Sequence, residues 1–119
     1  MHFLWTTIAV KNMNQSLQFY QEIVGLPLKN RIKPHPGMEL SFLGSGETQI
    51  ELVWNEKLND VNIGSDISLG FQVDSLDNTI EFLKSNNIPL QSGPFQPSPS
   101  LRFLFVLDPN GLKIQFVEK

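Results

Sequence analysis

The chain has 119 residues, 40% of them hydrophobic and 18% charged, with a net charge of −3, a composition that fits one globular domain able to bury a core without staples. Its nine Lys and Arg are scattered rather than striped, which argues against nucleic acid as a partner. The absence of cysteine excludes disulfides, thiolate metal sites and a Cys nucleophile, and no segment reaches the roughly 20 apolar residues of a membrane span, so a cytoplasmic protein with no membrane partner is expected.

Residues 3–10 read as a strand, with Leu4, Thr6, Ile8 and Val10 on one face and Trp5, Thr7 and Ala9 on the other. A helix should follow, with Asn12 as N-cap, Gln15 in the capping-box position and Gly25 as the stop. Its apolar residues Met13, Leu17, Tyr20 and Val24, joined by Phe19 and Ile23, keep a helical period. A second strand is expected over residues 28–32, ending at the breakers of Lys33-Pro34-His35-Pro36-Gly37. Residues 39–43 and 48–54 then form a hairpin, and residues 55–66 are a polar linker.

The order then repeats. Residues 67–73 read as a strand, Ser75 or Asp74 caps a helix carrying Leu76, Ile80, Phe82 and Leu83, and a short strand lies near Leu90. A proline-rich stretch over residues 93–100 reads as a surface loop or a lid. Residues 101–107 and 112–117 make the closing hairpin across Asp108-Pro109-Asn110-Gly111, a strong turn sequence.

This echo organises the whole chain. Residues 10–28 (VKNMNQSLQFYQEIVGLPL) and 73–90 (VDSLDNTIEFLKSNNIPL) place Val10 on Val73, Met13 on Leu76, Leu17 on Ile80 and Phe19 on Phe82. Two copies of one supersecondary unit are implied. The expected fold is α+β: one domain over residues 1–119, built from two βαβββ units (1–55 and 66–119) that form a half-open, eight-stranded mixed-sheet trough with helices on its outer face.

Strand parity then selects candidate site residues. Trp5 and Thr7 point into the trough from the first unit, with Ser68, Gly70 and Gln72 from the second. In the closing strands Ile50 matches Ile114 and Leu52 matches Phe116 on the helix side, so Glu51 and Gln115 point into the trough, while Trp54 falls on the helix side as core. The ligand-lining set is Trp5, Thr7, Glu51, Ser68, Gln72 and Gln115, with Glu51 as the candidate general base. His2 and His35 fall outside it as solvated residues, and no Ser-His-Asp set can be assembled from them.

The repeat, the Ser16-to-Tyr20 element, the IELVW strand and the closing DPNGLKIQF together resemble the vicinal oxygen chelate superfamily, which includes glyoxalase I, bleomycin-resistance proteins and extradiol dioxygenases. The resemblance covers essentially the whole chain. It implies four trough positions from which family enzymes draw His, Glu or Gln ligands for a divalent metal, here occupied by Trp5, Glu51, Ser68 and Gln115. Trp cannot ligate, Ser is a poor ligand, and one carboxylate with one amide would hold a metal weakly.

No metal or other cofactor is therefore expected. The main expectation is a metal-independent protein of bleomycin-resistance type, a homodimer that sequesters an aromatic or amphipathic small molecule. The alternative is a divergent lyase or isomerase using Glu51 as general base, with or without a weakly held metal. A third reading is a non-catalytic module in which Trp5 fills the trough.

Overall fold

Each half of the chain is organised around a parallel strand pair. The computed structural model describes residues 1–58 and 60–119 and divides into Met1–Ile63 and Gly64–Lys119, a boundary inside the stretch expected as a linker. The first unit runs β1 (Trp5–Ala9), α1 (Met13–Gln18) continuing into a π-helical turn (Phe19–Ile23), β2 (Leu28–His35), β3 (Met38–Leu43) and β4 (Gln49–Asn55). The second runs β5 (Ser68–Gln72), α2 (Leu76–Ser85), β6 (Ser92–Ser98), β7 (Leu101–Leu107) and β8 (Lys113–Glu118).

The sheet orders are β1-β4-β3-β2 and β5-β8-β7-β6. In each, the opening strand lies parallel to the closing one, and a parallel pair needs a long crossover, which here carries the helix. The α+β class and the duplicated βαβββ order are those expected. No helix among the described residues is long and apolar enough to cross a membrane.

Both helices start where the sequence places their caps. Asn12 Oδ1 accepts from the Gln15 N–H at 2.9 Å. Ser75 rather than Asp74 caps α2, its Oγ accepting from the Asn78 N–H at 3.2 Å, and Glu118 at the end of β8 takes another free helix donor, the Leu76 N–H, at 2.7 Å. The first helix departs from its expected single period. The Val24 N–H reaches back to the Phe19 carbonyl at 3.1 Å and the Leu26 N–H to that of Tyr20 at 2.9 Å, a widened turn. Widening brings two adjacent large rings to the buried side, Phe19 and Tyr20 meeting edge-on at 5.2 Å.

One face of each sheet forms the core. In the first unit Ile8, Val10, Leu43, Ile50 and Leu52 are buried with Met13, Leu17, Phe19 and Tyr20; in the second, Leu104, Val106, Ile114 and Phe116 are buried with Leu76 and Leu83. Each such side chain contributes roughly 1.5–3 kcal/mol by leaving water. In the closing turn, Asp108 Oδ1 accepts from the N–H groups of Asn110 and Leu112, both at 2.8 Å, and Gly111 takes φ +88°, a left-handed conformation that favours glycine.

Two strands contradict the expectation that proline clusters mark loops. β2 continues to His35, and β6 occupies most of the stretch expected as a loop or lid. Both are edge strands, and their pairing is irregular between Ile32 and His35 and again around Phe95. At such places the missing proline N–H leaves no ladder bond unmade.

Candidate functional site

The register of the first sheet fixes which side chains share its open face, the one turned away from α1. β1 pairs Thr7 with Glu51, and β3 pairs Phe42 with Glu51. Trp5, Thr7, Phe42, Glu51 and Val53 thus lie together on that face, because strand side chains alternate with a period of two. The Thr7 hydroxyl donates to Glu51 Oε1 at 2.6 Å. Trp5 stands edge-on to Phe42 at 5.4 Å and remains 45% exposed, so it is not a core residue.

Glu51 is half-buried, flanked by a hydroxyl on one side and an aromatic ring on the other. With one carboxylate oxygen held by Thr7, Oε2 is left to meet a ligand proton or a cation.

The second sheet repeats the construction with different chemistry. β5 pairs Ser68 with Lys113, Gly70 with Gln115 and Gln72 with Val117, and β7 pairs Phe105 with Gln115. The face opposite α2 therefore carries Ser68, Gln72 and Gln115 beside Phe103 and Phe105. Lys113 Nζ lies 5.3 Å from the Phe105 ring centroid, within cation–π range. Gln115 Oε1 leans over Gly70, where an added Cβ would lie only 3.2 Å away. Gly70 and Gln115 thus hold the places that Thr7 and Glu51 hold in the first unit, with an amide resting on bare backbone instead of a carboxylate gripped by a hydroxyl.

Each unit brings together its own share of the expected residues: Trp5, Thr7 and Glu51 in the first, Ser68, Gln72 and Gln115 in the second. Phe42 and Phe105 were missed, although both could have been found by pairing each inward polar residue with its neighbour across the strand. The histidines stay apart from Glu51 in their contacts. His2 lies 3.9 Å from Glu47 among exposed side chains, and His35 Nδ1 is 3.0 Å from the Pro36 carbonyl.

The sequence pattern of the glyoxalase/bleomycin resistance protein/dioxygenase superfamily matches residues 2–116. The chain belongs to this superfamily. It is 31% identical to the lactoylglutathione lyase of Neisseria meningitidis serogroup A (strain Z2491), across 100% of this chain and 91% of that protein. With the lactoylglutathione lyase of Escherichia coli O157:H7 it shares 28% identity, across 100% and 93%. The solved glyoxalase I of Leishmania major has the same fold, with a TM-score of 0.84 at 22% identity over 99% of this chain and 86% of that one.

These relatives overturn the expectation of a sequestering binding protein of bleomycin-resistance type, since the curated relatives matched over nearly their whole length are named as lactoylglutathione lyases, which favours the lyase alternative. The expectation rested on three altered ligand positions. Losing ligands does not remove the capacity to move a proton, and the carboxylate that could do so is retained as Glu51.

A divalent metal, which the superfamily resemblance implies, does not fit the residues present. Of the two ligand positions in the first unit one is an indole, which has no lone pair to offer, and the other is Glu51, with one oxygen already engaged by Thr7. The second unit offers a hydroxyl and an amide. No group of three or more His, Cys, Asp or Glu side chains among the described residues is arranged to hold an ion, whereas catalytic sites present about three good protein ligands.

Proposed function

We propose that this chain is a glyoxalase-type lyase acting on a 2-hydroxyacyl thioester, with lactoylglutathione as the reference substrate, and that Glu51 carries the proton in the reaction. The whole-length likeness to lactoylglutathione lyases supports the reaction class. The observation that carries the role of Glu51 is its half-buried carboxylate on the open face of β4, one oxygen fixed by Thr7 at 2.6 Å.

The chemistry asks for little more than such a group. In the lyase direction the hydrogen on C2 of the hydroxyacyl thioester moves to C1, and the C2 hydroxyl hydrogen moves to the former carbonyl oxygen. The product is a hemithioacetal, whose C–S bond then breaks to give a 2-oxoaldehyde and a free thiol. Atoms balance without an external oxidant or reductant. A base that takes the proton from C2 and returns it to C1 carries the carbon transfer, while the hydroxyl proton passes between the two adjacent enediol oxygens, and positioned acid–base groups contribute about 10²–10⁴ in rate. Glu51 takes that part, Thr7 is its positioning residue, and Trp5 with Phe42 forms an apolar wall that limits water.

The donors and acceptors of Ser68, Gln72 and Gln115 are suited to orienting a ligand without reacting with it. No step is assigned to a metal. A homodimer belongs to the same reading, supported by the exposed apolar side chains Phe3, Leu4, Ile67 and Leu107.

The test is to supply purified protein with lactoylglutathione, and in the reverse direction with glutathione and the matching three-carbon 2-oxoaldehyde, and to follow thiol and thioester together. Thiol appearing in step with 2-oxoaldehyde, and thioester forming in reverse, is the expected result. Release of lactate, or no conversion in either direction, would overturn the reading.

A further inference from the structure

Trp54 does not behave as the core residue its parity implies. It pairs with Glu39 on the face of β4 opposite Glu51, is only half-buried, and forms part of the wall of a groove of about 520 Å³ with Lys33, Pro34, His35, Pro36 and Met38. That volume lies within the roughly 300–1,000 Å³ of small-molecule sites. A second recess of about 240 Å³ shares Trp54 and Glu39 and reaches Lys11 and Asn14 around the start of α1 and Arg31 on β2. None of Trp5, Thr7 and Glu51 lines either hollow.

The charges around Trp54 are unevenly used. Glu39, the acid lining both hollows, is engaged by Arg31 Nε in an ion pair, and Arg31 Nη2 also donates to Asn14 Oδ1 at 2.9 Å. Lys33 has no ion-pair partner among the described residues. Pro34 and Pro36 fix φ on either side of His35, so its ring is presented from a stiff segment. Because a carbonyl only accepts, His35 Nδ1 carries the proton shared with the Pro36 oxygen at 3.0 Å, which leaves Nε2 for a ligand. Glu56 lays its carboxylate over Gly37 at the groove's rim, a negative charge that a bound anion must keep clear of. The result is an indole beside an uncompensated ammonium and a constrained imidazole.

We propose that this groove is a second binding site, for a small planar aromatic carboxylate. The ring stacks on Trp54 between the walls of Pro34 and Met38, and the carboxylate meets Lys33. Stacking needs a flat π face, which selects an aromatic ligand; Lys33 selects an anion over a neutral ring of the same shape. The site is independent of the chemistry at Glu51 and does not rest on the lyase reading.

The chain has two tryptophans, so Trp5→Phe leaves Trp54 as the sole reporter. In that variant 2-naphthoate should quench the fluorescence saturably, and Lys33→Gln should weaken binding by roughly fivefold, the scale of an exposed ion pair. Neutral 2-naphthamide should bind roughly fivefold more weakly for the same reason. In the unaltered protein, 2-naphthoate should shift the amide resonances of Lys33 and His35 and the Trp54 indole N–H, a readout that survives any folding defect of the variant. Absence of saturable quenching, equal affinity for the two ligands, indifference to Lys33→Gln, or shifts confined to residues outside the groove would each overturn the proposal.

Discussion

The Thr7 hydroxyl donates a 2.6 Å hydrogen bond to Glu51 Oε1 across the parallel pair of β1 and β4. This bond aims Oε2 and restricts the carboxylate to few orientations, and positioning of that kind is worth orders of magnitude when lost entirely. Thr7→Val keeps the shape and deletes the donor. Turnover of the thioester should fall about tenfold, equivalent to about 1.4 kcal/mol in the barrier, with KM changed far less than kcat. Thr7→Ser should recover most of the loss. Thr7 is exposed, so thermal melting should hardly move.

Gly70 makes a matching prediction for the second unit. A methyl group there would sit 3.2 Å from Gln115 Oε1, so Gly70→Ala must push the amide aside. Because its neighbour is the end of a flexible side chain, stability should stay within about 0.5 kcal/mol. KM for the thioester should rise several-fold, roughly the cost of misplacing one neutral hydrogen bond. An unchanged KM would remove Gln115 from the ligand-orienting set.

Asp108 tests the turn that closes the second unit. Its Oδ1 serves the N–H groups of Asn110 and Leu112, each at 2.8 Å in a buried setting. Asp108→Ala orphans both donors and should cost about 2–4 kcal/mol, read as a fall in Tm of roughly 10 °C. Asp108→Asn retains an acceptor and should cost about half as much.

The parts of this fold that could be read from residues alone are those governed by a simple period. Alternation in β1 and β4 puts Thr7 beside Glu51, and Asn12 and Ser75 advertise their helices by type and spacing. Periodicity fails where the chain locally breaks it. The π-helical turn at Phe19–Ile23 inserts a residue into a helix whose apolar pattern still looks regular, and the prolines of β2 and β6 are tolerated only because both strands lie at sheet edges. Trp54 escaped because the irregular pairing beyond Ile32 opens a groove that no alternation rule foretells. The functional correction has a different origin: replaced imidazoles bear on metal affinity, not on the capacity to move a proton, for which Glu51 is retained.

Metal removal separates those two requirements. If the donor set around Glu51 holds no resident ion, exhaustive dialysis against EDTA should leave thioester turnover within about twofold, and added Ni, Zn, Mn or Fe should not raise it by more than that, since weak ligands give little occupancy. Activity that vanishes on chelation and returns with one metal would show that the site is completed by ligands other than those identified here.

The most direct test of the account is the turnover number of Glu51→Gln with lactoylglutathione, measured beside its melting temperature. The exchange preserves size and the acceptor for Thr7 while removing the base. With Glu51 as the base, kcat should fall at least about 100-fold, the lower range for losing an acid–base group, with KM and Tm nearly unchanged. A variant that keeps kcat within a few-fold of the parent would contradict it.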